Sequence, residues 1–400
     1  MTLDDALDEI YRSYLRVRPT IAARYDRDVR HPEIVLGLAE KLGLLPTAGR
    51  VIKVTGSKGK GTTARFAADL VAQAKPSARI ALFVSPHEVE QTDRIRLNGA
   101  AIPADDFCQT VERLSVIIRE EETRLPLDRY ISPVGYFLLV ALDWYKRSGA
   151  DYFVLECGRG AQWDEVGRIP SHVSVVTSVL LEHADTLGPG IKDIARDKFS
   201  VAENSHFVVT SHAGIEHATR GFNRRIETVD AAPPATGPRW IAECRALAQR
   251  AAERLLALTP GALDSNRPRV ASASFGQGMA GATPYAFEGA INADSLDADF
   301  LETLPRNTAV LACLPDGKDR GRMLAALANV GSVREIALSG AEGYLHFNEA
   351  EAAGAIVLGK EDAAGLRRLI HESASVYLVG TQSYIRLVHL ALLQEAACSV

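Results

Sequence analysis

No run of apolar residues in this sequence approaches the ~18 that a membrane-spanning helix needs, so no helical span is expected. Cysteine is scarce: Cys108, Cys157, Cys244, Cys313 and Cys398 are scattered, odd in number and never arranged as CxxC. That excludes a disulfide framework and a cysteine zinc site, and it suits reduced thiols in a cytoplasm. No large excess of one charge is present. A net charge of -5 argues against a general nucleic-acid binder. Internal repeats and low-complexity tracts are absent. The opening stretch MTLDDALDEIYRSYL is acidic with helical periodicity, which is not the pattern of a signal peptide.

What is present is a 400-residue chain, 47% apolar and 24% charged, the balance of a packed protein of two or three domains. Strand and helix patterns alternate nearly throughout, which predicts an α/β fold with mainly parallel sheets. Arg50–Thr55, Arg79–Val84, Tyr152–Leu155 and Val173–Ser178 read as strands. Thr62–Ala74, Pro133–Arg147, Ile191–Glu203 and Arg239–Leu258 read as helices. The stretch Thr259–Pro284 is rich in turn residues and carries Gly276, Gly278 and Gly281, so the domain boundary is placed in it, with residues 1–280 before and 281–400 after. Alternation resumes with strands at Thr308–Cys313, Arg334–Leu338 and Val376–Val379 and helices at Arg320–Ala328, Asp362–Glu372 and Tyr384–Gln394. These predict a smaller doubly wound, Rossmann-like domain.

The strongest local signal is Thr55-Gly-Ser-Lys-Gly-Lys-Gly-Thr-Thr63, between a strand and a helix. Gly56, Gly59 and Gly61 let the backbone approach phosphates closely, and the N–H groups of Ser57, Lys58 and Thr63 become available to them. The following helix adds positive potential at its N-terminus. Lys60 supplies a point charge for the β- and γ-phosphates, and the Thr62 hydroxyl can ligate Mg²⁺. The strict G-x-x-x-x-G-K-[ST] spacing is not met, because Val54 stands at its first glycine and Gly61 separates Lys60 from Thr62. The plain alternative is a Gly/Lys-rich surface turn.

The extra glycine brings a family into view. Gly56–Thr62 resembles the phosphate loop of the folylpolyglutamate and dihydrofolate synthases of the Mur ligase superfamily. Ser85-Pro-His87 with Asp93-Arg-Ile-Arg-Leu-Asn-Gly99 resembles that family's SPH…ERIRING segment. Val154-Leu-Glu-Cys-Gly-Arg-Gly160 with Asp164 resembles its VLEVGLGGRLD turn, Ser178–Asp185 its SIGLDHTD segment, and Ile194–Lys198 its IAREK helix. Phe287–Asn292, Pro315–Asp319 and Val376–Thr381 are weaker matches to its later segments. Glu156-Cys157 and Glu182–Ala195 are also similar to the CapB-type poly-γ-glutamate synthases, a second branch of the superfamily.

The resemblance implies an ATP-dependent, ADP-forming ligase: a P-loop ATPase domain followed by a Rossmann-like one. ATP would activate a small-molecule carboxylate as an acyl phosphate, and an amino acid such as glutamate would attack it. It implies Mg²⁺ held by Thr62, Glu156 and His183, with Lys60, His183 and Lys198 catalytic and Lys198 a candidate for carbamylation by CO₂. Asp185 could orient His183 through a hydrogen bond. Asn292, Asp316 and Lys318 are candidate nucleotide contacts from the second domain. A closing motion hinged near 276–281 would keep water from the acyl phosphate.

Several positions depart from the family pattern. Ala161-Gln162 and Val166-Gly167 replace its Gly-Arg and Thr-Asn, Glu288 and Ile291 replace an aspartate and a histidine, and Gln277 stands near an arginine position. Arg239–Ala248 lacks the adenine-contacting HQxxNA signature, and the family's pterin-side segment is not evident in Tyr130–Phe137. These departures point to an acceptor other than folate. Two further readings stand beside a single-addition ligase: a CapB-like polymerase, and a non-catalytic ATP-binding scaffold. A small-molecule kinase fits less well, since the ligase segments after the loop would then be unexplained.

Overall fold

The computed structural model describes residues 1–21, 24–216, 226–232, 234, 236–266, 269–340 and 345–398. The chain divides into two compact units, Met1–Ala232 with Ile241–Val270, and Pro233–Trp240 with Ala271–Val400.

The first unit is built on eight strands: β1 (Val51–Thr55), β2 (Ile80–Phe83), β3 (Ile95–Leu97), β4 (Ala100–Ala101), β5 (Tyr152–Glu156), β6 (Ser171–Val176), β7 (Ser205–Ser211) and β8 (Ile226–Val229). Their order is β4-β3-β2-β5-β1-β6-β7-β8. The six strands from β2 to β8 run parallel, and β3 and β4 extend one edge as an antiparallel meander. β1 lies between β5 and β6, with Val54 paired to Glu156 and Thr55 to Val176. The loops after β1, β5 and β6 therefore leave the sheet side by side, at the carboxyl edge where open α/β sheets bind ligands.

Local chemistry explains the flanking helices. In Pro133–Arg147 the proline occupies the first turn and the Ser132 hydroxyl accepts from Gly135 N–H, so two sequence features close one helix end. Its Tyr136, Phe137, Leu138, Leu139, Leu142 and Tyr145 are buried. The helix predicted over Ile191–Glu203 ends at Phe199 and continues as a 3₁₀ turn, which places Asn204 under β1.

β1 is buried along its whole length although it contains a lysine. The Lys53 amine is fully buried and donates to Gly167 O at 2.8 Å and to Asn204 Oδ1. Burial pushes its pKa down to about 7. Sequence patterning registered only the strand.

The second unit carries β9 (Phe275–Ala280), β10 (Thr283–Gly289), β11 (Ala309–Cys313), β12 (Val333–Ser339), β13 (Ile356–Gly359) and β14 (Val376–Gly380), in the order β13-β12-β11-β14-β10-β9. All pairings are parallel except the β9–β10 hairpin. Successive residues serve opposite faces: Leu311, Cys313 and Leu378 pack with Leu366, Ile370 and Ile385, while Val310, Ala312, Tyr377 and Val379 pack with Phe300, Met323 and Leu327. This is the doubly wound arrangement expected from the sequence.

The turn-rich stretch Thr259–Pro284 holds a strand, so residues 271–280 fold with the second unit and not with the segment before them. The proposed hinge glycines have a packing role. A Cβ on Gly276 would lie 2.5 Å from the Phe287 ring, and one on Gly278 would lie 3.0 Å from Tyr285 Oη. Both rings lie across the hairpin from these glycines, and they stack on each other at 6.4 Å.

Two consequences are measurable. Gly276→Ala should cost about 1–3 kcal/mol through overpacking, read as a lower urea midpoint at unchanged m. An unchanged midpoint would refute the packing role. For Lys53, the amine is charged in folded and unfolded chains below pH 7, and the folded chain carries the full burial cost. Between about pH 7 and its ordinary 10.5 only the unfolded chain stays protonated, so stability rises with pH by at most roughly 5 kcal/mol. Lys53→Met should remove that rise between pH 7 and 9, and identical pH slopes for the two proteins would exclude it.

Candidate functional site

The loop Gly56–Thr63 connects β1 to the helix Lys60–Ala74. Gly56 has φ +134°, and a Cβ there would sit 2.0 Å from Thr177 Oγ1 and 2.8 Å from Thr177 N. Only glycine fits so close to the strand β6 exit. Gly59 takes the left-handed conformation, φ +82°, at the helix N-cap and accepts from Thr63 N–H at 2.8 Å. A Cβ on Gly61 would lie 3.1 Å from Glu156 Oε2, so the extra glycine of this loop is where the β5 carboxylate comes against the helix start.

The segment after β6 is fastened to the loop. Ser57 N–H donates to Ser178 O at 2.8 Å, Lys58 N–H to Ser178 Oγ at 2.9 Å, and Leu180 N–H to Ser57 Oγ at 2.9 Å. Lys60 Nζ turns back to Ser57 O at 3.3 Å. Beyond Leu180 come Glu182 and His183. His183 is half-buried with φ +52°, and its carbonyl accepts from Thr186 N–H and Leu187 N–H. Asp185 is exposed on the same turn.

Glu156 is buried, and its Oε2 accepts from Ser85 N–H at 3.0 Å. Burial raises its pKa to about 7, against the opposing pull of Lys60, the Ser85 N–H, Arg65 and Arg94. Lys198 is fully buried and donates to Gly56 O at 2.9 Å, Glu182 Oε1 at 3.2 Å and Arg159 O at 3.4 Å. Burial lowers its pKa although Glu182 opposes this. Glu182 is also desolvated, but Lys198, Lys60 and His183 hold it below the ordinary carboxylate range.

Thus Gly56–Thr63, Glu156 and Lys198 meet at the carboxyl ends of β1, β5 and β6, and the loop bearing His183 is bonded to the same place. Among the described residues, no three His, Cys, Asp or Glu side chains gather as a ready metal cluster. Magnesium does not require one, because it takes one or two carboxylates and completes its shell with phosphate oxygens and water. A buried carboxylate at Glu156 beside the Thr62 turn, destabilised as an anion, fits a cation that would relieve it.

Asn292, Asp316 and Lys318 belong to the second unit. The Asn292 side chain accepts from Asp294 N–H. Asp316 accepts from the N–H groups of Asn348 and Glu349 and from Asn348 Nδ2, which lowers its pKa despite some desolvation. It thus caps the turn Asn348–Ala352. Lys318 is exposed. Glu288 is fully buried and accepts from Tyr377 Oη at 2.5 Å and from Trp240 Nε1 at 2.8 Å, as a core carboxylate.

Sequence reasoning passed over Glu182, Ser178 and Ser85 as site residues. Each lies in a segment singled out by motif, but its contacts are through backbone or neighbouring side chains and leave no spacing signature. The departures at Ala161 and Gln162 have a physical account. Asp197 accepts their backbone N–H groups, at 2.7 Å and 3.3 Å, so the turn is held whatever side chains it bears. Gly167 is required by contact, since a Cβ there would meet Ala161 O at 2.0 Å.

No protein-family model matches the chain. It is 31% identical to the dihydrofolate synthase/folylpolyglutamate synthase of Escherichia coli over 164 residues, 41% of this chain and 36% of that protein. It is 29% identical to a probable bifunctional folylpolyglutamate synthase/dihydropteroate synthase of Halobacterium salinarum over 210 residues, 47% of this chain and 25% of that one. These alignments therefore span well under two thirds of either relative. The Mycobacterium tuberculosis folylpolyglutamate synthase complexed with ADP and AMPPCP superposes with TM-score 0.74 at 17% identity, covering 90% of this chain and 95% of that one. The apo form of L. casei FPGS superposes with TM-score 0.73 at 19% identity, covering 98% and 100%. The resemblance read from the motifs thus holds in sequence and in fold: the chain resembles the folylpolyglutamate synthases, with their two-domain Mur-ligase-like architecture.

The contact at Gly61 yields a test. Gly61→Val should press on Glu156, which Ser85 N–H already fixes, and weaken binding of a Mg²⁺–ATP analogue at least about tenfold by calorimetry. Wild-type affinity in that variant would remove Gly61 and Glu156 from a shared site.

Proposed function

We propose that the protein is an ADP-forming ligase that uses Mg·ATP to activate a carboxylate and joins glutamate to it as an amide. The observation that carries this reading is the convergence of the glycine loop, Lys60, buried Glu156 and buried Lys198 at one edge of the sheet. The folylpolyglutamate synthases it resembles support it, and a third structural neighbour, superposing at TM-score 0.72, is an FPGS–AMPPCP–folate complex.

In this reading Gly56–Thr63 cradle the triphosphate through their N–H groups and the helix N-terminus. Lys60 leaves Ser57 O and stabilises charge on the transferring phosphoryl group. Mg²⁺ would be held by Thr62, Glu156 and His183; when bound it neutralises phosphate charge. An acceptor carboxylate oxygen takes the γ-phosphoryl group and releases ADP. The glutamate amine then attacks the acyl carbon, loses a proton and expels phosphate. Asn292 and Lys318 remain candidates for the nucleotide from the second unit. Asp316, committed to its cap, is weaker in that role. Carbamylation of Lys198 would have to displace its bonds to Glu182 and two carbonyls.

For the acceptor, the relatives favour folate over the γ-glutamyl chain of a CapB-type polymerase. The departures at Glu288, Ile291 and Gln277 remain the argument for a different carboxylate.

The decisive measurement is ADP release with Mg·ATP, L-glutamate and either a reduced folate or a γ-glutamyl peptide, with product masses recorded. Glutamate-dependent turnover with a gain of one glutamyl mass on the folate is expected, and Lys60→Ala should lower kcat by at least about 10²-fold. Growth of the peptide would instead select the polymerase. Nucleotide binding without turnover on either acceptor would call for a screen of other carboxylates and would favour the scaffold reading.

A further inference from the structure

Glu182 stands at the meeting point of three segments that the sequence keeps apart. Its Oε1 accepts from the buried Lys198 ammonium at 3.2 Å. The same ammonium donates to Gly56 O in the phosphate loop and to Arg159 O in the turn after β5, so its three protons have three acceptors. Two residues before Glu182, Leu180 N–H donates to the Ser57 hydroxyl at 2.9 Å. Through Lys198 the carboxylate therefore connects the phosphate loop, the helix Ile191–Phe199 and the segment that follows β6.

The next residue is His183, whose φ of +52° is sparsely populated for a side-chain-bearing residue. Such a conformation persists where the surroundings over-determine it. Here the surroundings are the Glu182 contacts on one side, and on the other the bonds from Thr186 N–H and Leu187 N–H to the His183 carbonyl, at 3.0 Å and 2.8 Å.

We propose that Glu182 is a positioning residue: its ion pair with Lys198, which also holds the Gly56 carbonyl, sets the loop bearing His183 in fixed register with the phosphate loop, so metal and nucleotide phosphate are placed by one network. This rests on the reading of Gly56–Thr63 as a Mg²⁺–nucleotide site, but not on ligase turnover. The role predicts a coupling. Loss of the carboxylate should weaken the metal dependence of nucleotide binding more than nucleotide binding itself, because the loop backbone of Gly56–Thr63 stays in place.

The test titrates Mg²⁺ against binding of a fluorescent, non-hydrolysable ATP analogue to the full chain, for wild type, Glu182→Gln, Glu182→Asp and Ser57→Ala, with thermal midpoints recorded alongside. Glu182→Gln should raise the half-saturating Mg²⁺ concentration about 10–100-fold, the range expected when a group supporting a metal ligand is lost. Metal-free nucleotide affinity should change less than about threefold, and Glu182→Asp should restore part of the metal response. Ser57→Ala, which removes one hydroxyl, should shift Mg²⁺ dependence in the same direction and carries the test if Glu182→Gln does not fold. A Mg²⁺ midpoint within twofold of wild type in a folded Glu182→Gln, or in Ser57→Ala alone where Glu182→Gln is unfolded, overturns the proposal. Equal losses with and without metal would mark Glu182 as merely structural and overturn it too. Absence of Mg²⁺-dependent binding in the wild type would instead bring down the nucleotide-site reading on which it rests.

Discussion

Lys198 has no access to water, and an ammonium in that position must find its acceptors in the protein. It finds them in Gly56 O, Arg159 O and Glu182, one from each of the loops that leave β1, β5 and β6. Much else follows from that requirement. The Gly56 carbonyl turns toward the helix Ile191–Phe199, and because C=O and N–H of one trans peptide point opposite ways, the Ser57 N–H of the same peptide is directed away from that helix, to Ser178 O. Asp197, the preceding residue on that helix, must hold the 158–162 turn close enough for Arg159 O to be reached, and it does so through two backbone N–H groups. The fold brings the three loops near one another, and the buried charge fixes their register.

The second constraint at this edge has the opposite sign. Glu156 is buried, its Oε2 accepts from Ser85 N–H, and its ionised form is disfavoured. In a core this would be a defect of several kcal/mol unless neutralised or paired. At the carboxyl end of a central strand, against the first turn of a helix whose N-terminus is positive, it is instead a place where added positive charge gains more than it would in water. Lys60, Arg65 and Arg94 each pull Glu156 toward ionisation, yet burial prevails. Arg65 is itself lowered to about 10 by burial, so these cations are also short of solvent and do not simply cancel the carboxylate.

The fold class and the central strands of both sheets were legible in the sequence because strand and helix periods alternate cleanly there, and the glycine loop stood out because its glycines fall between a strand and a helix. The strands β3, β4, β7, β8, β9, β10 and β13 were not legible. β3 and β4 are brief, and in β9 Gly276 and Gly278 give a turn signal while their partners, Phe287 and Tyr285, lie across a hairpin. Lys53 escaped for a related reason: patterning sees a polar residue in a strand but not the carbonyl and amide waiting beneath it. Asp316 is similar: the resemblance makes it a nucleotide candidate, and patterning does not show that its oxygens accept from the turn at Asn348. At the candidate site, the sequence singles out residues proposed to act through their own side chains and passes over those, such as Ser178 and Glu182, whose contacts run through backbone or a neighbour.

The departures from the family pattern sort themselves by the same distinction. Ala161 and Gln162 replace residues of a motif, yet the turn they form is held by Asp197 through main-chain groups and is indifferent to their identity. Gly167 departs from the motif and is demanded by the Ala161 carbonyl lying where a side chain would be. These changes compensate one another within a single turn and leave the phosphate edge intact. Glu288 is different in kind. It is fully buried between Tyr377 and Trp240, so both its oxygens are spoken for within the second unit. A carboxylate so engaged serves the packing of the second unit. The departures near the proposed phosphate edge thus leave its main-chain contacts in place, whereas Glu288 commits a side chain to the core of the second unit.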